Sequence, residues 1–240
     1  MSQRNSNRNV QSYRPRRLSV SGGVDLLKHP TYCLAFSKFR SNTLIGINDF
    51  CANLRLANSF RHLPGAIVEC GTWKGGMIAG LAWLFGPKRS YYLFDSYEGL
   101  PPPSEIDGER ARRWQTEKNA PNYNDNCRAS IEDARNVMQR AGIRDAKIVK
   151  GWFEDTLPKA SIEDGISILR MDADWYDSTM CILENLFDQV VPGGCVIIDD
   201  YYCWDGCCRA VHDFLTRNNR LERINMYNDR VPFFVKRPES

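Results

Sequence analysis

The sequence predicts an α/β protein: a parallel sheet with helices on both faces and a C-terminal antiparallel hairpin strand. Three observations carry that reading. Short, continuous apolar runs alternate with helix-period segments five times along the 240 residues, as expected for strands buried on both faces. Runs close on aspartate at Asp95, Asp172 and Asp199-Asp200, and aspartate is depleted inside strands, so each marks a strand end. The chain finishes on two apolar stretches around Asn228-Asp229, a turn signal between antiparallel strands.

The elements follow in order. Residues 25–60 read as helical, because Leu44, Ile45, Ile47, Phe50, Cys51, Leu54 and Leu56 recur at mostly helical intervals. Pro64-Gly65 turns the chain into a first strand over 66–70. A glycine-rich turn over 71–76 leads to a helix over 77–85 that is apolar on every side, as a buried helix is. A second strand covers 91–94. Residues 101–126 open with three prolines and lose periodicity, which predicts a long functional loop, a lid-like insertion. From Cys127, Ile131, Ala134, Met138 and Ala141 mark an amphipathic helix that Gly142 is placed to stop. Strands follow over 146–149 and 166–171. Ser178 reads as the cap of a helix running to Val190. Pro192-Gly193-Gly194 turns into a fifth strand over 195–198, a helix covers 206–216, and strands over 221–227 and 231–236 close the sheet.

Composition is that of a globular protein, and 240 residues suit one domain, over 25–240. Residues 1–24 hold Arg4, Arg8, Arg14, Arg16 and Arg17 with no acidic residue, too polar to bury a core, so they read as a mobile basic tail. Such tails also bind nucleic-acid phosphates, which ranks as a second reading of this segment. No apolar run approaches the roughly 20 residues a membrane helix needs. Nine cysteines, an odd number without a secretory signal, point to reduced thiols in a cytoplasm. The spacing of Cys203, Cys207, Cys208 and His212 is not that of a zinc knuckle, so these read as packing thiols. Tyr32, Phe36, Phe39 and Phe50 either form a homo-oligomer contact or pack on the core.

The turn from Glu69 to Gly76 follows a strand and opens a helix. A dinucleotide site would place GxGxxG here; instead an acidic residue closes the strand. Glu69 repels a pyrophosphate and attracts the cationic amino-acid end or sulfonium of S-adenosylmethionine. Asp95 is positioned for ribose hydroxyls. Gly71, Thr72 and Gly75 in the turn, Ser96 after Asp95, the aromatic pair Trp152 and Phe153, and Asp172 complete the candidate cofactor set. A structural turn and core aromatics are the competing readings.

Parallel topology brings Asp172, Asp199 and Asp200 to adjacent strand ends. Three carboxylates together repel one another unless protonated or metal-bound, and oxygen ligands suit Mg²⁺ or another hard divalent cation. Such a cation lowers the pKa of a chelating hydroxyl. Asp174 is the first candidate for general base and His212, the histidine nearest this edge, the second.

Five motifs in this order resemble the macrocin O-methyltransferase (TylF/MycF) family over roughly residues 60–217. They are V-E-C-G-T-W-K-G-G (68–76), F-D-S-Y-E-G-L-P (94–101), G-W-F-E-D-T-L-P (151–158), L-R-M-D-A-D-W-Y-D-S-T-M (169–180) and P-G-G-C-V-I-I-D-D-Y (192–201). The resemblance implies a class I methyltransferase Rossmann-like fold, S-adenosylmethionine, and Mg²⁺ at Asp172, Asp199 and Asp200. It also implies Asp174 as the base and a sugar hydroxyl on a small natural product, such as a macrolide or aminocoumarin, as acceptor. Trp175 is bulkier than usual for the family, and His212 stands where an acidic residue is common. A metal-dependent hydroxylase-like enzyme on the same fold and a non-catalytic nucleic-acid-associated module are the alternative functions.

Overall fold

A computed structural model describes residues 30–119 and 123–238; the basic tail over 1–24 and residues 25–29 lie outside the described residues. The fold is a seven-stranded mixed sheet in the order β3-β2-β1-β4-β5-β7-β6. Its strands are β1 (Ala66–Cys70), β2 (Tyr91–Asp95), β3 (Lys147–Lys150), β4 (Ile166–Met171), β5 (Val190–Ile198), β6 (Asn225–Tyr227) and β7 (Val231–Val235). The first five run parallel, and β7 pairs antiparallel with β5 and with β6. The expected C-terminal pair is therefore present. Its first strand is shorter than the apolar pattern suggested: Leu221 is exposed and lies ahead of β6.

The helices are α1 (Pro30–Phe39), α2 (Ile47–Ser59), α3 (Gly76–Phe85), α4 (Gly108–Thr116), α5 (Ile131–Arg140), α6 (Phe153–Thr156), α7 (Tyr176–Leu186) and α8 (Asp205–Arg217). Strand alternation divides the core in two. Ile67, Ile168 and Ile197 pack with α1, α2, α3 and α5, whereas Val68, Leu169 and Val196 pack with α7 and α8. Phe39 and Phe50 are fully buried and Tyr32 and Phe36 pack beside them, so these aromatics belong to the core of this chain.

Local chemistry explains the helix ends. Ser130 caps α5 by accepting the Glu132 amide at 3.2 Å, and Gly142 ends it at φ +89. Ile143 then donates back to the Met138 carbonyl at 2.9 Å, the hydrogen bond of a left-handed helix stop. Ser178, read as a cap, instead falls inside the first turn of α7, whose N-cap is Trp175. The segment over 101–126 is also more ordered than its composition suggested, because α4 lies within it. Asp107 anchors this segment: its Oδ1 accepts the Tyr176 amide at 2.7 Å, and its Oδ2 accepts the amide and hydroxyl of Ser104.

Candidate active site

Because β1, β2, β4 and β5 are parallel, their carboxyl ends share one edge. A cavity of about 490 Å³ opens there. At its floor the β1–α3 turn passes close to β4. Gly71 has φ +81, and a Cβ on it would lie 1.7 Å from the Asp172 carbonyl oxygen. Only glycine permits that approach.

Asp95 holds the turn in place. Its Oδ2 accepts the amides of Thr72 (2.7 Å) and Trp73 (2.8 Å), and its Oδ1 accepts the amide of Tyr97 (2.6 Å). Trp73 and Tyr97 both sit at positive φ, a conformation that needs such support. Burial pushes the Asp95 carboxyl up, while the three amides pull it back. Asp95 thus has a building role that its reading as a ribose acceptor did not include. Thr72, Ser96, Trp152 and Phe153 also line the cavity. Ser96 donates to the Gly99 carbonyl at 2.9 Å and accepts the Glu98 amide at 3.0 Å. Gly75 lies outside the cavity lining. It sits at φ +76 against α5, where a Cβ would lie 3.0 Å from Val137 Cγ1 and 3.4 Å from Ala134 Cα.

Glu69 and Arg170 are direct cross-strand partners on β1 and β4, and both side chains are 1% exposed. Arg170 Nη1 donates to Glu69 Oε1 at 2.7 Å and to Asp172 Oδ2 at 2.9 Å. Its Nη2 lies 2.6 Å from Asp199 Oδ1, but off the hydrogen-bond direction, so that contact is an ion pair only. Burial alone would lower the guanidinium pKa; Asp199, Asp172 and Glu69 reverse this and hold it well above the ordinary value. One cation cannot compensate three carboxylates. Burial pushes Glu69 up to about 8 despite Arg170, and Asp199 to about 6.

Asp174 lies deeper into the acidic group, at φ +56. Burial and then the Asp172 charge push it up to about 8, against the Trp204 indole N–H, which donates to its Oδ1 at 2.7 Å. Asp200 is also raised, by burial and by Asp174, Asp172 and Asp199, and its Oδ2 accepts the Asp174 amide at 3.0 Å. Asp172, Asp174 and Asp200 can each present one oxygen within 4.8 Å of the others. Asp199 faces Arg170 instead. The acidic residues expected at this edge are therefore together: Asp174 stands with Asp172 and Asp200, and Asp199 is ion-paired to Arg170.

His212 lies apart from the cavity, on α8, where its Nε2 is 2.7 Å from the Tyr201 hydroxyl. Among the described residues, the thiols near it join no metal-binding group. Two contributors went unread in the sequence. Arg170 carried a signal, since an arginine inside the apolar run I-S-I-L-R-M is anomalous. The second is an aromatic cluster beside Asp174, with no local signal. Trp114 of α4 meets Trp175 and Trp204 edge-on with ring centres 6.3 and 6.1 Å apart, and Arg110 of α4 stacks on Trp204.

A model of the macrocin O-methyltransferase (TylF) family matches residues 46–236. The chain belongs to that family. Its macrocin O-methyltransferase relatives include an 8-demethyl-8-(2,3-dimethoxy-alpha-L-rhamnosyl)-tetracenomycin-C 4'-O-methyltransferase of Streptomyces olivaceus, 35% identical over 188 residues, covering 74% of this chain and 69% of that one. A demethyldecarbamoylnovobiocin O-methyltransferase of Streptomyces niveus is 32% identical, covering 72% and 68%. A mycinamicin III 3''-O-methyltransferase of Micromonospora griseorubida is also 32% identical, covering 68% of this chain and 65% of that relative. Among solved structures, the O-methyltransferase NovP superposes with a TM-score of 0.67 at 27% identity, over 82% of this chain and 83% of its own. The calicheamicin methyltransferase shares the fold at 17% identity, with a TM-score of 0.66 over 98% and 99% of the two chains. Membership makes this macrocin O-methyltransferase homologue an enzyme of the S-adenosylmethionine-dependent O-methyltransferase class. Among the described residues no helix is long and apolar enough to cross a membrane.

Proposed function

We propose that the enzyme methylates a sugar or polyol hydroxyl of a small natural product, using S-adenosylmethionine and a divalent cation such as Mg²⁺. The observation that carries the reading is one cavity lined by Glu69, Gly71 and Asp95 on one side and by Asp172, Asp174 and Asp199 on the other. Support for a sugar acceptor comes from the relative whose name gives a rhamnosyl tetracenomycin. The donor set fits a hard cation, being all carboxylate oxygen. Asp172 and Asp200 would hold it, with Asp199 as the third ligand once the cation replaces Arg170 as its ion-pair partner.

S-adenosylmethionine supplies a methyl group on a sulfonium, and the cation, when bound, lowers the pKa of the hydroxyl that receives it. Glu69 lines the floor on which the donor would lie, and Gly71 lets the turn lie against the β4 end. Asp174 takes the hydroxyl proton on its carboxylate as the oxygen–methyl bond forms and the methyl–sulfur bond breaks. Trp204 fixes its orientation. His212, bonded to Tyr201 outside the cavity lining, is not needed for this step.

The test is methyl transfer from labelled S-adenosylmethionine to a panel of glycosylated polyketides bearing free sugar hydroxyls, with and without chelator. Label should appear in an ether, disappear with chelator, and be lost in Asp172→Asn and Asp174→Asn. Calorimetry should show S-adenosylhomocysteine binding to the wild type. An enzyme that ignores S-adenosylhomocysteine, or transfers equally well in chelator, refutes the donor or the metal part respectively.

A further inference from the structure

Arg170 has no role in the chemistry above, yet among the described residues it is the buried cation that bridges the donor floor and the acidic edge. Register explains its position. Arg170 stands opposite Glu69 on β1 and Ile197 on β5. Strand alternation then puts Asp172 and Asp199 on the same face as Arg170. Asn53 of α2 completes the setting, its Oδ1 accepting Arg170 Nε at 3.4 Å.

The two sides of the guanidinium differ. Toward Glu69 the contact is aligned, and both groups are closed off from water. Toward the acidic edge, Asp172 and Asp199 keep 29% and 28% of their side chains exposed. The Asp199 contact is a charge contact without hydrogen-bond alignment. Aligned charge-assisted hydrogen bonds are the stronger ones, so the partly open Asp199 side is the weaker hold of the two.

We infer that Arg170 is a positioning residue that acts as an internal counter-cation: it holds Asp172 and Asp199 in place and competes with a divalent cation for them. The inference rests on the proposal that these aspartates hold a metal. Arg170 keeps the acidic edge assembled without metal and thereby sets metal affinity lower than the carboxylates alone would give. Neutralising it removes a repelling charge next to the ion and leaves three carboxylates that need a cation.

The experiment compares wild type, Arg170→Met and Arg170→Gln, each with Mn²⁺ as the probe and no donor present. Bound Mn²⁺ is counted by electron paramagnetic resonance, and melting is followed in chelator and in Mn²⁺. Arg170→Met should bind Mn²⁺ about tenfold more tightly or better, on the order expected for losing one nearby charge. It should melt below wild type in chelator and recover most of the difference in Mn²⁺. Arg170→Gln keeps hydrogen-bond donors for Glu69 and covers the case in which the methionine variant does not fold; it should show the same tightening. A merely structural arginine would lower the melting point in both conditions and leave Mn²⁺ affinity unchanged. Affinity within about twofold of wild type, or weaker, in the folded variants overturns the inference. Failure of the methyl-transfer reading would appear elsewhere, as a wild type that does not bind S-adenosylhomocysteine.

Discussion

Replacing Gly71 with alanine tests whether the donor turn and the metal edge are built as one unit. The residue sits at φ +81, and its Cβ would fall 1.7 Å from the Asp172 carbonyl oxygen, where contacts under 3.0 Å force a shift. Clearing it needs a movement of about 1.3 Å, the difference between those two distances. Neither neighbour yields easily, since the Asp172 amide donates to the Cys70 carbonyl at 2.9 Å and the Gly71 amide to the Phe94 carbonyl at 2.9 Å. Left-handed backbone costs an alanine about 1–2 kcal/mol, and forcing packed atoms apart adds about 1–3 kcal/mol. At roughly 2–4 °C per kcal/mol for a chain of this size, the melting point should fall by roughly 4–20 °C. Gly142→Ala is the control. That glycine also has positive φ, +89, but its Cβ would meet nothing within 4 Å, so only the backbone cost of about 1–2 kcal/mol remains. The assay is differential scanning fluorimetry with and without S-adenosylhomocysteine. Gly71→Ala should lose the ligand-induced rise, and Gly142→Ala should keep it. If the two variants melt together and both respond to the ligand, the close approach of turn and strand end has no energetic weight and the reasoning fails.

Two further outcomes follow from the same geometry. Trp204→Phe keeps an aromatic ring beside Trp114 and Trp175 but removes the N–H that holds Asp174 Oδ1; a bond to a charged group is worth about 1.5–3 kcal/mol. Turnover should drop by about tenfold or more with S-adenosylhomocysteine affinity unchanged, as single-turnover kinetics and calorimetry would show; equal turnover would disprove the positioning role. The second concerns pH. Burial, with the Asp172 charge adding to it, pushes Asp199 up to about 6 and Asp174 up to about 8, above the ordinary carboxylate range. The folded state therefore binds protons that the unfolded chain has released. That contribution to stability is present at low pH and lost as pH rises through those values. The metal-free protein should accordingly melt at progressively lower temperature from about pH 5.5 to about pH 8.5, while the rise produced by Mg²⁺ grows over the same range. A metal-induced rise independent of pH would contradict it.

The architecture was readable because it depends on local periodicity. Short, mainly apolar runs such as Ile166–Met171, too brief for a buried helix, read as strands covered on both faces. Alternation with helices makes them parallel, and parallel strands put Asp95, Asp172 and Asp199 at one edge without further information. Errors arose where partners are distant in the chain. The segment over 101–126 has no apolar period of its own; α4 is held by Asp107 at the start of α7 and by Arg110 donating to the Cys203 carbonyl, 93 residues away. Ser178 has the chemistry of a cap, but the Asp107 carboxylate receives the Tyr176 amide and starts the helix earlier.

By itself, the sequence determined which carboxylates reach the edge, because two-residue alternation and strand ends are properties of neighbouring residues. Only the tertiary structure decided how those carboxylates divide. Asp199 turns to Arg170, while Asp174 joins Asp172 and Asp200 under the Trp204 indole. That choice depends on where the scarce buried positive charge and hydrogen-bond donors lie in space, and these come from β4 and from the residue preceding α8, which no local pattern brings together.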